Sequence, residues 1–472
     1  MGVNAGNPFG GLAASAPGAT LRRNAMRSLF AAVFLLVAGL LRAAEPAPEA
    51  IVVVAGDMHS AYERTAAFVA RIDRLRADNP GVPLAVLING DTFELGNAVA
   101  RRSEGAVEFA MLAALAQRGP VILNLGNHEP EFFGLAETVA RLRAAGVVVL
   151  GGNVRDPATG QPYAAPSTRL KLGAREAVVV GVTTDRLSTF RVAVRPTLDL
   201  AEPVAWAKQN FPALLTGEAL PIVMTHTGLK VDRDLLPLVP DGTLFAGAHD
   251  HLRFVHRAGR TVYFHSGSWT DVISVARLRR AAEGLRWEVE AMRLAAGDPE
   301  DATLAALVRK TMSQHLTTEE TTIVGKLREP LGPTEAARFA VEAARVAARA
   351  DAAMIGGTTF GAGLPAGEVS RFALDASVRF DGPLFVAEVE GAWLRVLLDR
   401  SNQGPDTPFA DRAGENLVAV GPAAIDPTRR YRFVTTDWVA RNAKNYFGAN
   451  APVLTEHPGL KLKAAVIQAL TR

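Results

Sequence analysis

Five short segments of this chain carry side chains of the types that bind metal ions, and each segment follows an apolar run. The segments are Asp57-Met58-His59, Gly90-Asp91, Gly126-Asn127-His128-Glu129, Thr225-His226-Thr227 and His249-Asp250-His251. They supply seven candidate metal ligands, namely two carboxylates, one amide oxygen and four imidazoles: Asp57, Asp91, Asn127, His59, His226, His249 and His251. The chain has no cysteine, so sulfur ligands are excluded. Oxygen and nitrogen ligands of this kind suit zinc, manganese, iron or cobalt, and the spacing does not choose among these metals.

Taken alone, each segment is a weak signal, because an Asp-x-His pair arises by chance and Asn127-His128 is also typical of a helix start. Five such segments in order, each after an apolar run, favour one shared site. In Asp57-x-His59 and His249-x-His251, an extended backbone would point both side chains the same way. The four other histidines have no comparable setting, and we expect ordinary roles for them: His256, His265, His315 and His457.

A pair of metal ions would need a shared ligand. Two-metal hydrolytic sites hold their ions about 3.5–4 Å apart, so one carboxylate must bind both. Asp91 is the one candidate ligand of its segment. We therefore predict that Asp91 bridges the two ions.

The elements that must position these residues alternate between strands and helices. Apolar runs at 51–54, 83–88, 121–125 and 147–150 are separated by stretches with helical spacing, which indicates buried and largely parallel strands. Further short strands are predicted closer together, with a hairpin turn at Ala258-Gly259: 177–182, 221–224, 244–246, 261–264 and 272–278. This pattern predicts two sheets covered by helices on both outer faces. The ends of such strands are where separate segments can converge in one crevice.

A second α/β unit follows the first. It begins with a predicted helix at 334–349 and contains a glycine-rich turn at 356–361. The predicted organisation is a domain over 50–298, a linker over 299–321 and a second domain over 322–472.

Charge is unevenly distributed along the chain. The formal net charge is +3, but residues 1–44 hold four arginines and no acidic residue, so the remainder carries −1. A nearly neutral body gives no reason to expect nucleic acid or an anionic membrane as a partner.

The first 44 residues predict an N-terminal extension with a secretory signal peptide. Arg22, Arg23 and Arg27 precede the apolar run 29–41, and small residues follow it. A spanning helix needs about 20 apolar residues, which is more than this run offers. An uncleaved N-terminal anchor is the alternative, because Arg42 lies beside the expected cleavage site. We expect a periplasmic or secreted protein.

The five segments resemble the signature blocks of the calcineurin-like metallophosphoesterases, and the two-domain layout resembles the secreted 5′-nucleotidase family among them. The resemblance implies an α/β fold, a four-layer α-β-β-α sandwich with a second, smaller α/β domain at the C-terminus. It also implies that one divalent ion is held by four of the ligands: Asp57, His59, Asp91 and His251. The other ion would be held by Asp91, Asn127, His226 and His249.

The resemblance places the catalytic histidine of the family on His128. Its carboxylate partner, usually aspartate, falls on Glu131, which keeps the charge and adds one methylene. The implied mechanism is in-line attack on phosphorus by a metal-bridging hydroxide. His128 would then stabilise the developing charge or protonate the leaving oxygen.

The second domain departs further from the family. Two aromatic side chains that sandwich a base in the family match Phe380 and Trp438, although both could instead be core residues. The arginine of the family on the phosphate side falls on Gly361, and a carboxylate that holds the substrate is replaced near Lys444. The nucleotide specificity of the family is therefore in question.

The leading hypothesis is an exported two-metal hydrolase of a nucleotide or related phosphomonoester. One alternative is a thiohydrolase of the thiosulfate-oxidation type, which cleaves a sulfur ester on a carrier protein. Another is a binding protein with a vestigial metal site.

Overall fold

The computed structural model describes residues 46–295 and 297–471, so the predicted signal segment 1–44 lies outside the described residues. The strands of the first domain are β1 (Ala50–Ala55), β2 (Leu84–Asn89), β3 (Val121–Asn124), β4 (Val148–Leu150), β5 (Val154–Arg155), β6 (Ser167–Leu172), β7 (Arg175–Thr183), β8 (Asp199–Leu200), β9 (Leu220–His226), β10 (Leu244–Gly247), β11 (Arg253–Ala258), β12 (Thr261–Ser266), β13 (Val272–Ala281) and β14 (Gly284–Arg293). Its helices are α1 (Tyr62–Asp78), α2 (Ala98–Arg102), α3 (Ala106–Arg118), α4 (Leu135–Ala144), α5 (Pro203–Leu214) and α6 (Leu229–Leu235). Within the described residues, no helix is long and apolar enough to cross a membrane.

Two six-stranded sheets form the centre of the first domain. The order of the first sheet is β14-β13-β1-β2-β3-β4, and that of the second is β11-β12-β10-β9-β7-β6. In the first sheet β1 runs parallel to β2 and antiparallel to β13, with Val53 opposite Val86 on one side and Val275 on the other. In the second sheet β7, β9, β10 and β12 are parallel neighbours. The hairpin predicted at Ala258-Gly259 joins β11 to β12.

The two sheets pack face to face and carry helices on their outer faces. Alternate residues of facing strands, such as Val52 and Met224, fill the space between the sheets. Phe68 and Ile72, which lie four residues apart on α1, pack on the outer face of the first sheet because helical spacing puts them on one side. Phe211 of α5 covers the second sheet in the same way. These layers confirm the predicted α-β-β-α sandwich.

The second domain is a smaller α/β unit. Its strands are β15 (Ile323–Leu327), β16 (Ala352–Gly356), β17 (Gly367–Ser370), β18 (Pro383–Glu390), β19 (Leu417–Val420), β20 (Arg430–Thr436) and β21 (Thr455–Lys461). Five of them form a sheet in the order β19-β16-β20-β18-β21. Its helices are α9 (Pro333–Ala347), α10 (Arg371–Ser377), α11 (Gly391–Asp399), α12 (Asp437–Arg441), α13 (Ala443–Phe447) and α14 (Leu462–Leu470). Helices α9 and α14 pack on one face of this sheet and α11 on the other.

The segment 299–321, for which the sequence analysis predicts a linker, is largely helical. It contains α7 (Ala302–His315) and α8 (Thr318–Thr321). Leu304 and Val308 lie four residues apart on α7 and are buried against the first domain. The segment therefore adds a helix to the outer layer of the first domain.

Candidate metal centre

The candidate ligands lie at the ends of five strands that meet at one edge of the sandwich. Asp57, Asp91 and Asn127 follow the parallel neighbours β1, β2 and β3 of the first sheet. His226 is the last residue of β9 and His249 follows β10, and these two strands are parallel neighbours in the second sheet. Because the carboxyl ends of parallel strands lie at one edge, two facing sheets bring all five segments together.

Two buried asparagines tie this edge of the first sheet to the second. The Asn89 side chain donates to the carbonyl oxygens of Thr225 at 3.0 Å and Ala246 at 2.9 Å. The Asn124 side chain donates to Asn89 Oδ1 at 3.1 Å and to the Val182 carbonyl at 3.0 Å. Neither asparagine is among the predicted site residues, although an amide that ends an apolar strand is a usable signal.

Asn89 also orients the first imidazole of the second sheet. Its carbonyl oxygen lies 2.8 Å from Nδ1 of His226, so Nε2 of that ring is the atom directed at the centre. Gly90 makes this approach possible. Its φ is +75°, and a Cβ there would lie 2.5 Å from His226 Nδ1, so a side chain would displace the ring.

The ligand atoms form two adjacent groups. Asp57, His59 and His251 make one group, and Asp91, His226 and His249 make the other, with the ligand atoms of each within 4.8 Å of one another. The two Nε2 atoms of His59 and His251 are 3.0 Å apart, and His226 Nε2 lies 3.1 Å from Asp91 Oδ2. Asp57 Oδ1 is 3.8 Å from Nε2 of both His226 and His251, which places the groups side by side.

The side chain of Asn127, the seventh predicted ligand, has an oxygen that is available to bind a metal ion. Its Oδ1 is buried and accepts no hydrogen bond, whereas its Nδ2 donates to the Thr189 carbonyl at 3.3 Å. A buried acceptor without a donor is uncommon in folded proteins. Asn127 precedes His128, whose amide donates to Asp91 Oδ1 at 2.8 Å, and an unsatisfied oxygen in this loop is a ligand that a divalent cation accepts, so the residues fit a metal centre.

The backbone conformation at the ligands differs from the prediction. Asp57, His59, Asp91, His249 and His251 have φ values of 49°, 48°, 54°, 89° and 59°, all in the left-handed region. The expectation that an extended backbone aligns the paired residues is therefore wrong. Each such residue costs about 1–3 kcal/mol, and strain of this kind concentrates at functional sites. Hydrogen bonds such as His59 N to the Asp91 carbonyl, 2.9 Å, hold the loops in place.

The pKa values of the candidate ligands are shifted because two carboxylates and several imidazoles are buried together. Burial raises the pKa of Asp57 to about 7, against the attraction of His226. Burial opposes protonation of His226, but Asp91 and Asp57 outweigh it and raise the pKa of His226 to about 10. Burial and the neighbouring His226 lower the pKa of His249 to about 3. A divalent cation would take the place of the His226 proton, since metal ligands bind deprotonated.

The structure places His128 and Glu131 together at the border of the centre. His128 Nδ1 lies 3.0 Å from Glu131 Oε1, and His128 Nε2 lies 3.9 Å from Asp91 Oδ2. Glu131 is itself held by the Leu95 amide, which donates to its Oε2 at 2.5 Å. Burial opposes the charge on His128, but Asp91, Glu131 and Glu94 outweigh burial and raise the pKa of His128 to about 9. Nε2 of His128 can therefore carry a proton beside the ligands.

Two residues outside the five segments flank His59. Glu94 Oε2 lies 3.3 Å from His59 Nδ1, and the Trp269 ring stacks on the imidazole with centroids 5.2 Å apart. Both side chains are buried. Glu94 lies three residues after Asp91, which is a local signal, whereas nothing in the sequence around Trp269 indicates this role.

His265, one of the four histidines expected to be ordinary, belongs to a buried network behind the centre. Its Nδ1 lies 3.0 Å from Asp250, and its Nε2 lies 2.8 Å from the Tyr263 hydroxyl and 3.2 Å from Asp232. Burial opposes its charge, but Asp250 and Asp232 outweigh burial and raise the pKa of His265 to about 9. Asp250 also accepts from the Leu229 amide at 2.7 Å. The network thereby fixes the loop that carries two of the imidazole ligands.

The two aromatic residues predicted to bind substrate lie on the surface of the second domain. Phe380 and Trp438 are each 60% exposed, so neither is a core residue. Leu384 pairs with Thr436 in the antiparallel strands β18 and β20, which puts the segment before β18 and the segment after β20 at the same end of the sheet. In the described part of the chain, no other ring stacks on either residue.

Comparisons with known proteins characterise the two parts of the chain separately. Residues 51–253 match the family model of the calcineurin-like phosphoesterases. Residues 315–450 match the family model of the 5′-nucleotidase C-terminal domain. No curated protein sequence matches the chain.

Solved structures with a similar fold cover most of the chain. A 5′-nucleotidase precursor from Thermus thermophilus is 16% identical, with a TM-score of 0.56 over 89% of this chain and 96% of that one. The sulfate thiohydrolase SoxB from Thermus thermophilus is 15% identical, with a TM-score of 0.61 over 91% and 95%. A 5′-nucleotidase from Candida albicans is 13% identical, with a TM-score of 0.56 over 90% and 98%. At these identities the likeness shows the fold.

The bridging role that the sequence predicts for Asp91 leads to a prediction about metal content. Asp91→Ala should lose both ions together, because a bridging carboxylate serves both sites. His59→Ala should mainly weaken the binding of one ion. Elemental analysis of the purified variants measures this directly. His457→Ala, in β21 of the second domain, is the control and should keep both ions. Full metal content in Asp91→Ala would show that Asp91 does not bridge.

Proposed function

Because the chain belongs to the calcineurin-like phosphoesterase family and carries a 5′-nucleotidase C-terminal domain, we propose that it hydrolyses a nucleotide or a related phosphomonoester. Family membership makes it a metal-dependent phosphoester hydrolase, and the substrate is the proposed part. The proposal rests on the cluster of carboxylates and imidazoles, together with the buried Asn127 oxygen, which accepts no hydrogen bond from the described residues.

The proposed ligand sets follow the two groups of the cluster. One divalent ion would be held by Asp57, His59, Asp91 and His251, and the other by Asp91, Asn127, His226 and His249. The grouping of Asp57 with His59 and His251, and of Asp91 with His226 and His249, supports these sets. The sharing of Asp91 by both ions is taken from the family resemblance. Zinc, manganese, iron and cobalt all accept such ligands.

His128 and Glu131 would supply the proton chemistry. The bound ions would activate water and neutralise charge on the phosphoryl oxygens. The Glu131 carboxylate lies 3.0 Å from Nδ1 of His128 and pairs with the imidazolium at that atom, which leaves Nε2 to hold a proton that faces the ligands. From there the imidazolium would donate to a phosphoryl oxygen or to the leaving oxygen, as a positioned acid does. Half-burial of His128, with 17% of its side chain exposed, leaves this proton reachable by substrate.

Phe380 and Trp438 are the proposed walls of a base-binding slot. Both rings are exposed, and the Arg379 guanidinium lies over the Phe380 ring, 5.2 Å from its centroid. Stacking of a base on the exposed ring surface would contribute about 1–3 kcal/mol without reading its identity. Gly361 and Lys444 replace polar groups that orient a nucleotide in the family. We therefore expect broad base tolerance and weak substrate binding.

A second candidate is a thiohydrolase that cleaves a sulfur ester on a carrier protein. The glycine at position 361 favours it, since the arginine on the phosphate side is missing there, and the fold is shared with a sulfate thiohydrolase. A binding protein with a vestigial site is disfavoured, because six of the seven candidate ligands lie in two groups of closely spaced ligand atoms.

We also propose export to the periplasm or the exterior, with the basic and apolar segment within residues 1–44 as the signal. The near-neutral charge of the remaining chain supports a small-molecule phosphoester rather than nucleic acid as the partner.

The acid role of His128 can be separated from metal binding. His128→Ala should lower turnover about 10²–10⁴-fold, the usual contribution of a positioned acid–base group, with metal content nearly unchanged. Glu131→Gln should show a smaller loss, because the amide can still accept a hydrogen bond at Nδ1. Loss of metal from His128→Ala would instead make His128 a ligand and contradict this mechanism.

The substrate class is tested by a panel on the metal-loaded protein: nucleoside monophosphates, p-nitrophenyl phosphate and a peptide cysteine S-sulfonate. We expect hydrolysis of the phosphoesters. Trp438→Ala should raise KM for nucleotides and leave p-nitrophenyl phosphate unaffected, because only the nucleotide carries a base to stack. Hydrolysis of the S-sulfonate alone would favour the thiohydrolase, and equal effects of Trp438→Ala on both phosphoesters would exclude the slot.

A further inference from the structure

An arginine of the second domain reaches into the surroundings of the metal centre. Arg379 makes an ion pair with Glu94 of the first domain, and its Nη1 donates to the Thr358 carbonyl at 3.2 Å. The two charged side chains are only 5% and 6% exposed. A buried ion pair of this kind is costly to break, since removing one partner leaves an uncompensated charge.

The two residues from outside the five segments that flank His59 are both in contact with this arginine. Glu94 accepts its ion pair, and the Arg379 guanidinium lies over the Trp269 ring, 5.4 Å from the centroid. Glu94 and Trp269 in turn touch His59, through Nδ1 at 3.3 Å and by stacking. The carboxylate beside Nδ1 of His59 is therefore held in place by its ion pair with Arg379.

The glycine at position 361 belongs to the same arrangement. A Cβ on Gly361 would clash with the Ala376 carbonyl oxygen and would lie 2.7 Å from Cζ2 of Trp269. Both contacts are too short for any side chain, so the Trp269 ring occupies the space that an arginine at 361 would need. Arg379 instead supplies a cation of the second domain, with its guanidinium over the Trp269 ring.

From these contacts we infer that Arg379 is a positioning residue of the metal centre. It acts through Glu94 and Trp269 to orient His59, so the affinity for the ion at His59 depends on the second domain. The inference rests on the proposed role of His59 as a ligand. Glu94 lies 3.3 Å from Nδ1 of His59, and a carboxylate at this atom of a ligating histidine orients the ring and raises its basicity. Loss of such partners typically weakens metal binding about 10–100-fold.

The test is a titration of the metal-free, full-length protein with Co²⁺, followed by calorimetry and by the visible spectrum of the bound metal. Arg379→Gln should weaken one of the two binding steps about 10–100-fold, leave the other near wild type, and change the spectrum of the weakened site. The Co²⁺ affinity of Arg379→Lys should lie between those of the wild type and Arg379→Gln, because lysine keeps the charge but cannot reproduce the forked contact with Glu94 and Thr358.

A double variant separates a loss of metal affinity from a folding defect. Glu94→Gln combined with Arg379→Gln leaves no unpaired buried charge. If Arg379 acts through Glu94, the double variant should bind Co²⁺ no more weakly than Glu94→Gln alone, because coupled residues are not additive. Arg233→Gln is the matched control, since Arg233 also crosses the domain interface but contacts Phe409 and Arg412. It should leave both binding steps unchanged.

Three results would overturn the inference. The first is wild-type Co²⁺ binding by Arg379→Gln with unchanged kinetics. The second is unchanged Co²⁺ binding with a raised KM, which would make Arg379 a substrate-binding residue. The third is retention of both ions by His59→Ala, which would remove the proposed ligand role itself. Loss of one ion from His59→Ala together with wild-type binding by Arg379→Gln would contradict this inference alone.

Discussion

The hydrogen bonds of Asn89 are the interaction on which the candidate site depends. This buried amide joins the end of a strand in the first sheet to carbonyl oxygens at the ends of two strands in the second. With Asn124 as its partner, it sets the distance between the two edges that carry the ligands. Leaving such buried groups unpaired would cost about 1–3 kcal/mol each, so the sheets are held in this register by groups that contribute nothing to the apolar core.

The centre assembled at this edge is unfavourable by itself. Five ligand residues adopt left-handed backbone conformations, and two buried carboxylates face several imidazoles. The surrounding structure offsets this cost with a layer of fixed partners, among them the His265 network and the Glu94–Arg379 pair. Divalent cations would satisfy the remaining charges and the free oxygen of Asn127. A fold that holds these groups together without relaxing them is prepared for cations and for phosphoryl oxygens.

The candidate ligands could be predicted because the amino-acid sequence marks where each strand ends. Apolar runs followed by Asp91 or His226 mark both the strand and the point where it stops. The local conformation was not visible, since nothing in Asp57-Met58-His59 distinguishes a left-handed loop from an extended one. Long-range partners were also hidden, because Arg379 lies 285 residues from Glu94 and only the docking of two domains brings them together. The helix within 299–321 was missed since its acidic and Thr-rich flanks obscured the apolar spacing of α7.

The central claim is that one edge of the sandwich holds two ions that share Asp91. A crystal structure of the Mn²⁺-loaded protein with anomalous scattering data tests it most directly. We expect two anomalous peaks about 3.5–4 Å apart, both coordinated by Asp91, with Asn127 Oδ1 on the peak beside His226 and His249. A single peak, or a pair bridged by Asp57 in place of Asp91, would contradict it.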